Sequence, residues 1–171
     1  WPEIEGFITD GPEFGYEITP GFMNDNWSLF TCFGPCCQRA ASSANYDFDE
    51  LKRAASVLSN KLHNLNVATL EAIPASAQTA AEVLAALTRD PLVGQWFAFK
   101  SASIATYVRD LCQGVKDIDP KLQMGIGARL PAFAPLSGYD LPRLAPLADF
   151  LLPKIYLWMG GVDGLYGTVY R

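Results

Sequence analysis

Residues 4–17 of the chain read IEGFITDGPEFGYE. An apolar run from Ile4 to Thr9 leads into Asp10 and Glu13, with glycine and proline between the two acids. A buried strand of a parallel sheet has this short apolar composition, and the chemistry of α/β folds gathers where such strands end. The stretch therefore predicts a first strand at residues 4–9 that leads directly into a cluster of carboxylates.

Composition narrows the classes of protein to which the chain belongs. Its 171 residues suffice for one domain with a substantial core, and half of them are hydrophobic. The formal charge of −5 argues against a nucleic-acid surface, which requires clustered Lys and Arg. No apolar run approaches the roughly 20 residues of a membrane span. Because the chain begins at Trp1-Pro2 directly before a strand, we expect an internal part of a longer protein, in a compartment that the sequence does not indicate.

Two long helices are predicted from their apolar periodicity. Asp47 with Glu50 forms a capping-box pattern before the first helix, and Asp90-Pro91 is a typical start for the second. The first apolar stripe consists of Phe48, Leu51, Ala55, Leu58, Leu62 and Leu65. The second consists of Phe97, Ile104, Val108, Leu111, Val115 and Ile118. Both stripes follow the three- and four-residue spacing of an amphipathic helix.

The remaining segments complete an alternation of strands and helices. Shorter helices are predicted at 79–87 and 140–148, and further strands at 122–128 and 150–158. Residues 11–46, rich in glycine, proline and aromatics, are predicted to form one long irregular loop with a functional role. Alternating strands and helices indicate an α/β fold with parallel strands.

Four segments of this sequence resemble motifs of glycoside-hydrolase-like (β/α)8 barrels. They are Asp10-Gly11-Pro12-Glu13, Trp96 to Lys100, Val115 to Leu122 and Asp149 to Tyr156. The chain is more specifically similar to poorly characterised bacterial glycosidases of the broad clan that includes the β-galactosidases. The resemblance implies that residues 1–171 are a single domain forming an internal portion of a TIM barrel. About three of the eight strands would be present, and the rest of the barrel would be its partner.

The carboxylates after the first strand are the candidate catalytic residues. Glycoside hydrolysis uses two carboxyl groups, one that protonates the leaving oxygen and one that attacks or activates water. Glu13 is the predicted proton donor, since apolar neighbours at a strand end would raise its pKa toward the working pH. Asp10 would orient Glu13 or bind a sugar hydroxyl. The alternative is that both acids only cap a turn. The second catalytic carboxylate would lie on a strand after Arg171.

Five further residues are predicted to contact a carbohydrate substrate. Lys154, Tyr156 and Trp158 alternate along the third strand and therefore share one side of it. Lys154 would pair with an acid, while Tyr156 and Trp158 would offer a hydroxyl and an aromatic face to a sugar ring. Arg129 at the end of the second strand and Trp27 in the long loop would contribute a charge and a stacking surface. Core packing and surface ion pairing are the alternatives.

No organic cofactor is expected, and the cysteines are the candidates for a metal. Cys32 and Cys37 match the outer positions of a C-x-C-x-x-C pattern that the resembled proteins often carry, but Gly34 replaces the middle cysteine and Cys36 is displaced. Zinc needs four ligands. Reduced, buried thiols are therefore favoured over a zinc site or a disulfide. His63, the single histidine, is predicted to lie on a helix surface.

Three functions remain open at this point. The predicted function is a glycosidase-like hydrolase acting on O-glycosidic bonds by carboxylate acid/base catalysis. The first alternative is a non-catalytic carbohydrate-binding barrel that has lost its acid pair. The second is a metal-dependent hydrolase on the same barrel, which the single histidine disfavours.

Overall fold

The computed structural model describes residues 3–11, 14, 30, 32–77, 80–128 and 134–153. Three strands and six α-helices are found in these residues. The strands are β1 (Gly6–Asp10), β2 (Gln123–Ala128) and β3 (Phe150–Pro153). The helices are α1 (Pro35–Ser43), α2 (Phe48–His63), α3 (Val67–Glu71), α4 (Ala80–Thr88), α5 (Pro91–Ile118) and α6 (Leu141–Leu144). Single 3₁₀ turns lie at Ala134–Ser137 and Ala145–Leu147.

The three strands form one parallel sheet in chain order, β1-β2-β3. Asp10 is paired with Gly127, and Gly125 is paired with Phe150. The predicted α/β class with parallel strands is therefore confirmed. Because all three strands run in the same direction, their carboxyl ends meet at one edge of the sheet, hereafter the carboxyl edge.

Helix α2 begins where the capping pattern predicted. The Asp47 carboxylate accepts hydrogen bonds from the backbone N–H groups of Asp49 and Glu50 at 3.0 and 3.1 Å, which satisfies two free donors of the first turn. The buried residues of α2 are Leu51, Ala54, Ala55 and Leu58. The inclusion of Leu65 in this stripe is wrong, since α2 ends at His63 and Leu65 is exposed.

Helix α5 is 28 residues long and contributes to both clusters of buried side chains. Asp90 caps it by accepting a hydrogen bond from the Leu92 N–H group at 2.9 Å, and Pro91 is its first residue, as predicted. The assignment of Ile118 to its buried face is wrong. Ile118 is 80% exposed because it is the last helical residue and lies beyond the packed region.

Two clusters of buried side chains flank α5 along its length. The first joins its amino-terminal half to α2 and α1 through Leu51, Leu58, Val93, Trp96 and Phe99. The second joins its carboxyl-terminal half to the sheet through Ile104, Val108, Cys112, Met124 and Ile126. One helix thus links a helical layer to the sheet.

Helix α5 packs on one face of the sheet, whereas apolar side chains on the other face are partly exposed. Met124 and Ile126 on β2 point toward α5 and are buried. On the opposite face, Ile8 and Leu152 are each 50% exposed and Phe150 is 36% exposed. Parallel sheets are normally covered on both faces. This second face, hereafter the open face, carries apolar side chains that are partly exposed.

The amino-terminal edge of the sheet is held by Asp149. Its carboxylate accepts hydrogen bonds from the Met124 N–H group and the Lys116 ammonium, both at 2.7 Å. The Asp149 N–H group in turn donates to the Met124 carbonyl at 2.9 Å. The hydrogen bond from Lys116, followed by that from Met124, lowers the pKa of Asp149. These contacts join β2, the start of β3 and α5.

The predicted irregular segment at 11–46 is wrong for residues 35–43, which form α1. Gly34 caps this helix in an extended conformation and Pro35 occupies its first turn. The sequence of α1 shows little apolar periodicity, because Ala41 is the one residue of this helix that is fully buried. A nine-residue helix with such small side chains leaves little periodicity in the sequence.

Candidate functional site at the carboxyl edge

Asp10 is the last residue of β1 and lies at the carboxyl edge. Its register partner Gly127 belongs to the same face as Gly125, on which the ring of Phe150 rests. Side chains of paired residues share a face of a sheet, so Asp10 belongs to the open face. Asp10 is exposed, as a residue that contacts a ligand must be. Asp10 thus lies at the end of the first strand, where the sequence predicted it, and its role stays a prediction.

The segments that follow β1 and β2 are joined at this edge. The Phe14 N–H group donates to the Ser137 carbonyl at 3.0 Å. Ser137 is fully buried, and its hydroxyl donates to the Ala134 carbonyl at 3.0 Å. The Tyr139 hydroxyl donates to the Gly127 carbonyl, also at 3.0 Å. The turn at 134–137 is thereby fixed both to β2 and to the segment after β1.

Gly138 allows this turn to approach α5 closely. Its φ of +92° lies in a region that side chains disfavour. A Cβ atom at this position would lie 2.9 Å from a side-chain carbon of Ile104 and 3.0 Å from the Lys100 carbonyl oxygen. Only glycine fits between the turn and the helix.

Lys100 is the most unusual residue near this edge. It lies on α5, is fully buried, and donates a hydrogen bond to the Leu136 carbonyl at 3.3 Å. Its ammonium group is 4.8 Å from the centre of the Trp96 ring, 5.6 Å from that of Phe14 and 5.8 Å from that of Phe97. Cations over aromatic faces are attracted by the ring quadrupole. Lys100 thus contacts both segments that leave the carboxyl edge.

Burial changes the ionisation of Lys100. Removal from water disfavours the charged amine and lowers the pKa of Lys100 to about 7. A lysine in this condition exchanges its proton near neutral pH, whereas a solvated lysine stays charged. Strongly perturbed pKa values are enriched at functional sites, although core lysines also have them.

Lys100 closes the Trp96 to Lys100 motif, but no role for its side chain was predicted from the sequence. The signal that could have identified it is its spacing. Lys100 is four residues after Trp96 and four before Ile104, so it falls within the apolar stripe of α5 rather than beside it. A lysine on such a stripe is either buried with partners or extends along the surface.

All of the other predicted catalytic and substrate-binding residues lie outside the described part of the chain. These are Glu13, Trp27, Arg129, Lys154, Tyr156 and Trp158. The structure therefore shows the position of Asp10. That the remaining residues lie around it stays a prediction.

The cysteines and the histidine do not form a metal centre in the described residues. No group of three or more His, Cys, Asp or Glu side chains there could hold a metal ion. All four cysteines are free thiols, with Cys36 exposed and Cys112 buried. His63 is exposed at the end of α2, as expected, and its Nδ1 atom lies 2.8 Å from the Ser59 carbonyl oxygen.

A separate cleft of about 490 Å³ opens on the helical side of the sheet. It is lined by both apolar and charged residues, among them Glu82, Phe97, Ser101, Tyr139 and Arg143. Because α4, α5 and α6 form its walls, it lies apart from the open face to which Asp10 belongs.

Comparison with known proteins adds no family assignment. No protein family, curated protein or solved structure matches the chain significantly. No helix in the described ranges is both long and apolar enough to cross a membrane.

Proposed function

We propose that the chain is part of a singly wound (β/α)8 barrel. The support comes from the order of the strands and the position of the helices. Parallel strands joined in chain order by right-handed crossovers keep their helices on one side, whereas doubly wound sheets reverse direction and have helices on both. Here α5 covers Met124 and Ile126 of the central strand, although Phe7 on the same face of β1 is 47% exposed, while Ile8, Phe150 and Leu152 on the open face are exposed. In a barrel the open face is the interior, which the other strands fill.

We further propose glycosidase-like hydrolysis at the carboxyl edge. The observation that carries this proposal is the position of Asp10, an exposed carboxylate at the end of β1 and on the open face. Barrel enzymes place their catalytic groups at this end of the strands. Glu13 is assigned the role of proton donor, and Asp10 that of orienting Glu13 or binding a sugar hydroxyl.

Lys100 supports this assignment indirectly. The residue after Glu13 is Phe14, whose amide is held by the Ser137 carbonyl and whose ring is held beneath the Lys100 ammonium. A general acid must be kept within a narrow range of positions to act on its substrate. Two contacts on the adjacent residue would restrict the backbone of the proton donor.

The same proposal assigns substrate contacts to residues at 27, 129 and 154–158. Lys154 follows Leu152 by two positions, so an uninterrupted β3 would present it on the face of Asp10. There it would pair with a carboxylate, while Tyr156 and Trp158 would face the sugar rings. Arg129 and Trp27 would border the same cleft.

Hydrolysis of a panel of aryl glycosides by the whole protein tests this function. Glu13→Gln removes the acidic proton but keeps the shape of the side chain, so turnover should fall by about 10²-fold or more. Glu3→Gln is the matched control, because Glu3 is an exposed acid before β1, and it should leave turnover unchanged. Full activity of the Glu13 variant would exclude Glu13 from the mechanism.

A carbohydrate-binding barrel without catalysis is the second candidate. One observation favours it: among the described strand ends, Asp10 is the only acid, since β2 ends in Ala128 and β3 in Pro153. Titration calorimetry with oligosaccharides separates the two candidates. Heat of binding without release of reducing ends supports the binding protein, whereas release of reducing ends supports the hydrolase.

A further inference from the structure

A second cleft, of about 420 Å³, lies where α2 and α4 end, against α3. Its described lining comes from the last turn of α2, from α3 and the residues beside it, and from the last turn of α4. These residues belong neither to the sheet nor to the turn at 134–137. A cleft of this volume accommodates a small organic molecule.

Two cationic side chains line this cleft. Lys61 lies in the last turn of α2, and Arg89 directly follows α4. None of the described residues in the lining is acidic. Neither cation forms an ion pair within the described part of the chain. In a chain with a formal charge of −5, the cleft is therefore a local concentration of positive charge.

The side chains of the cleft offer hydrogen-bond donors. The Asn66 Oδ1 atom already accepts hydrogen bonds from the N–H group and the hydroxyl of Thr69, at 3.0 and 2.9 Å. The Thr88 hydroxyl donates to the Ala85 carbonyl at 2.9 Å. Among the described residues, the Asn66 Nδ2 group and the charged groups of Lys61 and Arg89 have no partner. Three donors, two of them charged, thus remain for a ligand that accepts hydrogen bonds.

The backbone of Arg89 is strained. Its φ of +54° lies in the left-handed region, and its N–H group donates to the Ala85 carbonyl at 3.1 Å, closing the end of α4. Glycine is preferred at this position because other side chains are disfavoured there. Asn45 also has a positive φ, but asparagine tolerates that conformation. Arginine at position 89 therefore costs stability, which a function of its side chain would explain.

Free carbonyl groups at the ends of α2 and α4 are the alternative partners of the two cations. Basic side chains near a helix end interact favourably with these carbonyls and with the helix dipole. That interaction accounts for Lys61, which belongs to the last turn of α2. It does not require Arg89 at a positive φ, because a basic residue inside the last turn of α4 would make the same contact without strain, and that turn contains none.

We propose that this cleft binds a small organic phosphate. The phosphate would lie between Lys61 and Arg89, whose two positive charges match a dianion, and would accept a further hydrogen bond from the Asn66 amide. Guanidinium groups bind phosphate oxygens in a bidentate manner. The organic part would rest on the apolar lining, where Leu87 is 7% exposed and Ile73 is half-buried.

Titration of the whole isotope-labelled protein with phenyl phosphate tests the proposal. Backbone amide resonances followed by NMR report binding and its location together. We expect saturable shifts at residues 66–73 and 86–89, with a dissociation constant of a few millimolar or less. Inorganic phosphate should shift the same amides with lower affinity, since it lacks the apolar part. Benzylamine, which carries a positive charge on a similar ring, should shift none of them.

Arg89→Gly is the decisive variant. It should weaken phenyl phosphate binding by about tenfold or more, through loss of the guanidinium. The same change should raise the Tm by about 1–3 °C, because glycine relieves the strain at a positive φ. Weaker binding by a protein that is more stable cannot result from unfolding. Lys61→Gln should also weaken binding, by about fivefold or more.

Two control variants lie outside the cleft. Lys52→Gln removes an exposed cation of α2, and Asn45→Gly changes the other residue with a positive φ. Both should bind phenyl phosphate as the wild type does. The proposal is overturned if phenyl phosphate shifts no amide at 66–73 or 86–89. It is also overturned if Arg89→Gly lowers the Tm and binds unchanged, since both cations would then serve the helix ends alone. Amide shifts report this site whether or not the protein is a glycosidase.

Discussion

The ammonium group of Lys100 lies 4.8 Å above the ring of Trp96, one helical turn earlier on α5. The two residues are fully buried together, so a titratable amine is surrounded by aromatic carbon. The attraction between cation and ring offsets part of the cost of desolvation. Burial nevertheless lowers the pKa of Lys100 to about 7, which makes this residue sensitive to pH near neutrality.

Lys100→Met should alter the pH dependence of stability. The pKa of Lys100 is about 7 in the folded protein and near its ordinary value of 10.5 in the unfolded chain. Below pH 7 both states carry the charge, and the folded protein bears the whole cost of burying it. Between these values only the unfolded chain is charged, so the stability of the wild type relative to the variant should rise with pH by a few kcal/mol.

Urea unfolding at about pH 6 and about pH 9 measures this difference for both proteins. Lys61→Met is the matched control, since Lys61 is exposed at the end of α2, and its stability should follow the wild type across this range. Parallel stability curves for the wild type and Lys100→Met would contradict the burial of a titrating amine.

Asp149→Ala should weaken the amino-terminal edge of the sheet. The variant loses the acceptor for the Met124 N–H group, which is a buried donor, and for the Lys116 ammonium. Because contacts in the folded state lower the pKa of Asp149, its contribution is present above the ordinary value of 3.8 and disappears as the pH falls through the lower folded value. The wild type and the variant should therefore converge in stability in strong acid.

Denaturant titrations from neutral to strongly acidic pH follow that convergence. Asp110→Ala is the control, because Asp110 pairs with Arg109 on an exposed surface. Equal stability of Asp149→Ala and the wild type at neutral pH would show that the hydrogen bonds of Asp149 do not stabilise the fold.

Tyr139→Phe tests the link between β2 and the turn at 134–137. The ring is 1% exposed and its hydroxyl donates to the Gly127 carbonyl at 3.0 Å. Loss of one buried hydrogen bond should lower the free energy of unfolding by about 1–2 kcal/mol. Thermal unfolding measures this loss, with Tyr107→Phe on the exposed side of α5 as the control that should change little. A Tyr139 variant as stable as the wild type would show that the bond contributes nothing.

Gly125→Ala tests the packing of the open face. An added Cβ atom would collide with the ring of Phe150, which rests on Gly125, and overpacking of this kind costs about 1–3 kcal/mol. The double variant Gly125→Ala with Phe150→Ala should recover part of that loss, since the collision is removed. Gly114→Ala, where the Cβ atom meets no neighbour, should instead stabilise α5 by up to about 1 kcal/mol. Chemical denaturation of the wild type, Gly125→Ala, Phe150→Ala and the double variant decides whether the ring and the glycine are coupled.

The sequence predicted those parts of the fold that depend on local signals. Asp90-Pro91 and Asp47 marked helix starts because capping depends on a few adjacent residues. The strand at 123–128 followed from its apolar run. Helix α1 was missed because its small side chains bury too little to leave a pattern.

Long-range contacts could not be predicted in the same way. Lys100 meets Leu136 and Phe14 through a turn and a segment that are distant in sequence, and no spacing along α5 encodes those partners. The role of Asp149 is similar, because its acceptor function depends on the register between β2 and β3. At the candidate site, the sequence placed Asp10 correctly at a strand end but gave no indication of the buried amine that holds the neighbouring segments.

The hydrogen bonds that Asp149 accepts from Met124 and Lys116 have a consequence for how this fold can diversify. They align β2 with β3 where those strands begin, at the edge farthest from Asp10. Segments leaving the other edge can therefore lengthen, shorten or exchange residues without sliding one strand against the next. If the proposed function is right, alignment and ligand recognition lie at opposite ends of the sheet, and new specificities can be acquired at one end while the scaffold is maintained from the other.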